Sequence, residues 1–580
     1  MHGWTGRVLY VDVGRRAWRV EEPGEDVYHA RIGGKGMAGW LLQDHITLAW
    51  HDPDMPLIFF TGPLVGTAAP TPGRMVVMSR SPLTGTICDS SVGGRLAVQL
   101  KKAGYDGLVI TGKSGGLIGL HLEDARVRFC DASSLAGLSA EAVSQKAGPA
   151  GSLAVVGPAA ENGVRFANIV VDNRYFIGRG GLGLVMAAKG LKYLAVRGTG
   201  KVPVYDKAEL RLAGEEIRRL IAASPALLGD FGISHFGTGA LYDLILERRM
   251  LPTRNFRQTF FPPARQMNAY RLQKAFGKQD GGCFGCHIRC KKQAADGGDL
   301  PEFETMCHFS SLLGNRDMRI MVQANRLCGE YGMDTISAGA TLACCQELEG
   351  DVIDIPGLLK DMALSRGKGV WLKEGALRYA REQGRQEAAM TVKGLELPGY
   401  DPRGAYGMAL AYVTSTRGGC HLRAYPIAHE ILRKPVATDR FTFSGKARII
   451  KLNEDANAMV DSLTACKFVF FAATLEEYAR ALYGATGLQT SGDELKHKGE
   501  RVYYLERVMN AANGFSAGDD DLPARFFNEP GSSGDGIHIP PLDREEFLAA
   551  RANYYRVRGL NADGMPTERK CKELGIAWKN

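Results

Sequence analysis

The apolar and polar positions divide this 580-residue chain into a strand-like first third and a longer stretch with helical spacing. Residues 7–13, 57–60, 74–79, 107–112 and 193–196 form short branched runs bounded by turn residues. Such runs predict β-strands. From about residue 204 the period changes. Apolar positions recur at helical spacing over 208–223, 239–249, 320–331, 335–349, 370–383 and 475–482. The Gly-, Ser- and Pro-rich run 529–541 predicts a surface loop. There is no internal repeat. The pattern predicts an α+β fold: a β-rich N-terminal domain over 1–203, then two mainly α-helical domains over 204–390 and 391–580.

Composition changes this picture little. Apolar residues make up 45% and charged residues 23%, as in ordinary globular chains. Glycine is enriched, at 72 residues, and is scattered among apolar runs. That predicts many tight turns, or backbone that approaches a ligand closely. No unbroken apolar run is long enough to span a membrane, and the first residues lack a signal-peptide pattern. A cytoplasmic location is the expectation. The net charge of +9 comes without a lysine or arginine block, so nucleic acid is not an expected partner. A basic face for an acidic electron carrier fits the charge, as does diffuse charge with no partner.

The cysteines carry the clearest chemistry. Gly281-Gly-Cys283-Phe-Gly-Cys286-His-Ile-Arg-Cys290 places three thiols at x2 and x3 spacing. Such a run can hold three corners of an iron–sulfur cubane, with a fourth ligand from elsewhere. Zinc is the rival, although zinc sites usually pair two short CxxC elements and a second one is missing. Cys307, Cys328, Cys420 and Cys466 are candidates for the fourth position.

The run Gly178-Arg179-Gly180-Gly181-Leu-Gly183 matches GxGxxG. It lacks the preceding strand and long following helix of a dinucleotide fingerprint. Its N–H groups and Arg179 still suit a phosphate, or the run is a structural turn. Arg74 is a second candidate clamp.

Several runs together resemble the tungsten-dependent aldehyde ferredoxin oxidoreductase family, from end to end and in order. They are Ser81-Pro-Leu-Thr-Gly, the glycine run at 178–183, the cysteine run, Gly332-Met-Asp334-Thr-Ile-Ser, Leu397-Pro-Gly-Tyr-Asp-Pro-Arg-Gly, Arg417-Gly-Gly-Cys-His421 and Tyr554-Tyr-Arg-Val-Arg-Gly. The resemblance implies a tungsten (or molybdenum) bis-pyranopterin and one [4Fe–4S] cluster, with an Mg2+ ion bridging the pterin phosphates as a further expectation. It implies Cys466 as the fourth cluster ligand, beside Cys283, Cys286 and Cys290. It implies Asp334 and Asp461 as pterin-reading carboxylates. Arg74, Ser91, Gly93, Arg179, Gly180, Gly181 and Arg423 complete the expected cofactor-binding set. Glu304 and His421 match the family's active-site pair, with Glu304 expected as general base and His421 as donor to the substrate oxygen.

The implied activity is oxidation of aldehydes to carboxylic acids. Electrons would pass through the cluster to ferredoxin or a ferredoxin-like subunit, in a homodimer or hetero-oligomer. Two alternatives stay open: the same cofactor acting on a low-potential substrate such as an aryl-CoA thioester, and a cluster-only electron-transfer subunit. Departures from the family pattern keep them open. Gly329-Glu-Tyr-Gly-Met-Asp334 lacks the usual leading aspartate, and Asp461-Ser-Leu-Thr-Ala-Cys466 lacks the usual glycine and leucine. Gln323 and Arg326 replace an iron-binding pair. Cys307 and His308 stand close after Glu304, where either side chain could shape the pocket.

Overall fold

The computed structural model describes residues 1–147, 151–350 and 352–578. Two six-stranded sheets fill the first 200 residues. The first contains β1 (Val8–Asp12), β2 (Ala17–Glu21), β3 (Leu57–Thr61), β4 (Met75–Arg80), β5 (Ile87–Val92) and β6 (Gly107–Thr111), in the order β2-β1-β6-β3-β4-β5. The second contains β7 (Ile118–Glu123), β8 (Arg126–Asp131), β9 (Ser152–Val156), β10 (Ile169–Val171), β11 (Tyr175–Ile177) and β12 (Leu191–Arg197), in the order β11-β10-β9-β12-β7-β8. Only β1–β6 and β7–β12 pair in parallel. β3 and β4 read as continuous apolar runs because both faces are covered.

The sheets meet at the edges that matter for the site. β5 ends the first sheet and β11 ends the second. The Gly178 N–H donates to Ser90 Oγ across the junction at 3.1 Å. The N-terminal region is thus β-rich, and helices dominate the rest of the chain, as the hydrophobic pattern predicts.

The helical part departs from the pattern in two places. The run 370–383 is broken into Gly369–Leu372 and Ala376–Glu382. Gly375 between them sits at φ 90, outside the helical region, with Leu83 2.8 Å from where a Cβ would lie. The run 239–249 begins as a 3-10 turn and becomes a helix only at Tyr242–Glu247. By contrast, Thr335–Glu349 forms as expected, with Asp334 capping it.

Packing also joins distant stretches of chain. Helix Lys207–Ala223 packs on Leu475–Thr486. Ile217, Ile288, Leu463 and Tyr478 share one apolar cluster beneath the cysteine run. The cysteine run itself is the loop of a small hairpin, β13 (Gln279–Gly281) with β14 (Lys291–Gln293), in which Gly281 opposes Lys291.

Candidate active site

A cavity of about 2010 Å3 opens between the sheet edges and the helices. Its wall includes Arg74, Ser91, Gly93, Arg179, Glu304, Asp334, His421, Arg423, Asp461, Cys283, Cys290 and Cys466. Gly180 and Gly181, also in the expected set, are not among the residues that line it. A Cβ at Gly180 would lie 2.2 Å from Cys88 Sγ, and one at Gly181 would lie 2.0 Å from the Arg165 carbonyl oxygen. Their φ values of 84 and 85 also favour glycine. These glycines let a turn pack against its neighbours. A strand, β11, does precede them directly, but the helix they open, Leu182–Ala188, is only seven residues long.

Glu304 stands in the first turn of helix Phe303–Phe309. Its Oε2 accepts from the Gly399 N–H at 2.7 Å. Its Oε1 lies 3.5 Å from His421 Nε2 and, among the described residues, has no hydrogen-bond partner. Burial pushes the Glu304 carboxyl up to about 8, against the pull of Gly399 and Arg179. Burial, followed by Arg179 and Arg417, holds His421 well below its usual range, so its ring is neutral. Its Nδ1 is also unpartnered among the described residues. Phe303, Tyr400 and Tyr425 surround the pair: the Tyr400 ring stacks obliquely 4.9 Å from Phe303, and its centroid lies 5.6 Å from that of His421.

Arg179 is committed elsewhere than to a phosphate. It donates to the carbonyls of Gly419 at 2.8 Å and Glu396 at 2.5 Å, and pairs with Asp334 at 3.3 Å. Asp334 in turn accepts from the N–H groups of Ile336 and Ser337 and from the Ser337 hydroxyl. Both of its oxygens are occupied. Arg423 is held by Asp89 and approaches Glu506. Lys35 pairs with Glu506 at 2.9 Å.

The opposite wall is built differently. Arg74 donates to Ser91 Oγ at 3.0 Å and to the Ser91 carbonyl at 2.8 Å. This aims its guanidinium at the cysteines. Burial works against the Arg74 cation, but Cys466, Cys283, Asp461 and Cys290 outweigh it and raise its pKa. Gly93 lies beneath Cys283: a Cβ there would sit 2.2 Å from the Cys283 sulfur. Asp461, on helix Lys446–Leu463, accepts from Lys467 at 2.8 Å through Oδ2. Its Oδ1 has no partner among the described residues.

Of the four candidates for a fourth thiol, Cys466 is the one brought to the cysteine run. Burial is the main cause raising Cys286, Cys290 and Cys466, the last to about 11, and neighbouring cysteines raise each further. Cys286, Cys290 and Cys466 keep their protons until a cation replaces them. Among the described residues, no three His, Cys, Asp or Glu side chains are gathered tightly enough for a single metal ion. His287 is exposed.

Cys307 and His308 do not reach the cavity. Cys307 is buried against Gly399, and burial keeps its thiol protonated. His308 Nδ1 lies 2.6 Å from the Glu304 carbonyl oxygen and positions that turn. Cys420 is the residue whose role the sequence hides. Its sulfur accepts from Arg417 at 2.9 and 3.2 Å and from the Leu422 N–H at 3.3 Å. Burial pushes the thiol up, but Arg417, Arg423 and Arg179 bring it down to about 7. Nothing in the spacing of Arg417-Gly-Gly-Cys-His foretells three cations around that sulfur.

Comparisons with known proteins agree with this layout. Residues 8–198 match the N-terminal domain of aldehyde ferredoxin oxidoreductase, and residues 212–576 match its domains 2 and 3. The chain is 35% identical to tungsten-containing aldehyde ferredoxin oxidoreductases of Pyrococcus furiosus and Thermococcus kodakarensis, over 613 and 609 residues and the full length of each protein. It is 27% identical to the WOR-like subunit of an aliphatic sulfonate oxidoreductase of Pyrococcus furiosus, over 99% of this chain and 97% of that one. The active-site complex BamBC of benzoyl coenzyme A reductase shares the fold, with a TM-score of 0.84 at 22% identity, over 99% of this chain and 97% of that chain. The protein is an oxidoreductase and belongs to the aldehyde ferredoxin oxidoreductase family.

Proposed function

We propose that this enzyme oxidises small-molecule aldehydes to carboxylic acids and sends the electrons through one [4Fe–4S] cluster to ferredoxin or a ferredoxin-like subunit. One observation carries the reading: a single cavity has Glu304 and His421 on one wall and Cys283, Cys290 and Cys466 on another. That arrangement supports proton handling and electron exit around the same space.

The free oxygen of Asp461 suits the N–H edge of a pterin, and Arg74 and Lys467 add cations beside it. Cys283, Cys286, Cys290 and Cys466 would hold the cluster. A tungsten (or molybdenum) bis-pyranopterin bound here supplies a two-electron acceptor and a Lewis acid. The protein supplies the rest. Glu304 takes the proton from the attacking water when ionised. Neutral His421, with Nε2 turned to Glu304, presents Nδ1–H to the substrate oxygen. Tyr400 and Phe303 pack around the pair and exclude bulk water.

The test is anaerobic purification with elemental analysis, followed by dye-linked assays over a panel of aldehydes. One tungsten or molybdenum with about four irons per chain, and dye reduction that depends on aldehyde, supports the reading. Iron without the heavy metal indicates an electron-transfer subunit. A loaded enzyme inert to aldehydes and active on an aryl-CoA thioester moves the substrate. Zinc without iron overturns the cluster.

A further inference from the structure

The aromatic rings beside Glu304 and His421 continue along the cavity as a row. Tyr400 lies between Phe303 and Tyr425, with ring centroids 4.9 and 6.0 Å away. Tyr425 then meets Phe471 at 5.9 Å, and Phe471 meets Phe468 at 6.1 Å. All five residues line the cavity. Phe303 and Tyr400 are each only 2% exposed and back the row. Tyr425, Phe468 and Phe471 are half-buried, which leaves aromatic surface on the cavity side for an apolar guest.

Tyr425 is placed there at a cost. Its φ of 50 lies in the left-handed region, which a bulky side chain rarely occupies. The Ala428 N–H pins its carbonyl at 3.2 Å, and its hydroxyl meets that of Tyr400 at 3.1 Å. The ring stands edge-on to His421, with 6.1 Å between centroids. A strained backbone that fixes one ring beside the reacting pair points to a functional position. Charge indicates what the guest lacks. The cations that act on His421 are Arg179, Arg417 and Lys467, and all three are committed to the protein. Arg179 is held by Asp334 and two carbonyls. Arg417 is held by Cys420 and the Asp89 carbonyl, and Lys467 by Asp461 and the Leu422 carbonyl. A substrate carboxylate or phosphate would instead meet Asp461 Oδ1, which has no partner among the described residues.

We propose that Tyr425 and Phe471 form the face on which the substrate's side chain lies, and that this face selects planar, uncharged aryl aldehydes. The proposal rests on the reading of Glu304 and His421 as the reacting pair. An aryl guest gains from offset or edge contact with the two rings. A saturated ring of the same size is puckered and has no π face, so it gains from burial alone.

The experiment uses the loaded holoenzyme with a dye acceptor and two neutral, unreactive inhibitors, benzamide and cyclohexanecarboxamide. They match in size and differ in flatness. Neither is oxidised, so the ratio of their inhibition constants is free of differences in aldehyde reactivity. In the parent enzyme benzamide should bind about tenfold more tightly. Tyr425→Phe keeps the ring and should keep the ratio. Tyr425→Leu and Phe471→Leu should each shrink it about threefold, and should lower kcat/KM for benzaldehyde against cyclohexanecarbaldehyde by a similar factor. The two leucine variants lie on different segments, so either one that folds decides. 4-Carboxybenzaldehyde should turn over with kcat/KM about tenfold below benzaldehyde, and equal values overturn the charge selection. A parent inhibitor ratio near one, or an unchanged ratio in the leucine variants, overturns the aromatic face. If the parent reduces the dye with no aldehyde, the proposed function itself falls, whereas turnover with an unaltered ratio removes only this inference.

Discussion

The two carboxylates expected to read a pterin both line the cavity, but they stand in opposite states. Asp334 is finished by the protein: two N–H groups, one hydroxyl and Arg179 occupy its oxygens. Asp461 has Lys467 on one oxygen and nothing among the described residues on the other. Asp334 is held in shape by the chain alone, whereas Glu304 Oε1 and His421 Nδ1 have no partner among the described residues. Asp461 keeps a vacant acceptor, and burial keeps the Cys286, Cys290 and Cys466 thiols protonated. Proton chemistry benefits from groups fixed beforehand, whereas a cofactor site keeps its hydrogen-bonding capacity for the guest.

The largest test of this contrast is Glu304→Gln. It should lower kcat about 10^2–10^4-fold and leave metal content intact. In the parent enzyme kcat should climb as pH rises through about 8, where Glu304 ionises. The folded chain keeps this proton above the ordinary carboxylate value of 4.5. Glu304 therefore favours unfolding progressively as pH rises from about 4.5 to about 8, and Glu304→Gln should flatten that part of the Tm–pH curve. A rate falling through the same interval would show that the protonated form is the active one.

Arg179→Met comes next. It leaves Asp334 without its cation and should cost roughly 3–5 kcal/mol of stability, read by denaturant unfolding of the metal-free chain. A loss below about 1 kcal/mol would mean that Asp334 is held less tightly than its hydrogen bonds suggest. Asp461→Asn probes the other carboxylate. It should reduce tungsten or molybdenum retention about tenfold, because one acceptor oxygen becomes a donor amide, and it also lowers metal-free stability by taking the anion from Lys467. Equal metal content in the two proteins would remove Asp461 from the cofactor contacts. Cys420→Ser should have the smallest effect, about 1–2 kcal/mol, as charge-assisted bonds from Arg417 give way to neutral ones. Thermal denaturation at pH 6 and pH 8 reads it, and the difference should be larger at pH 8, where the thiolate is populated.

Much of this layout was legible in the chain. The switch from short branched runs to helical spacing locates the boundary between sheets and helices. The x2 and x3 cysteine spacing marks a hairpin loop without any knowledge of the hairpin. What stayed hidden has a common cause. Helices Lys446–Leu463 and Gly492–Ala511 bury Glu454, Asp455, Glu500, Glu506 and Arg507. Their inner faces are therefore written partly in charged residues, and an apolar period cannot be read from them. Glu454 and Asp455 are answered by Arg558, about 100 residues away. The same non-local pairing explains Arg179 and Arg423. Each suggests an anion clamp by type, yet each finds its partners in remote segments. Gly180 and Gly181 show the converse, since close packing against Cys88 and Arg165 requires glycine there whatever else the loop does.

The cavity wall draws on residues from Arg74 to Lys496, and this has a bearing on biosynthesis. As the chain leaves the ribosome, the sheets and the cysteine hairpin emerge well before Asp461 and Cys466. A partly made chain can expose three thiols, but it cannot offer the fourth or close the chamber around a guest. Maturation is therefore ordered by topology: the polypeptide is completed first and loaded afterwards.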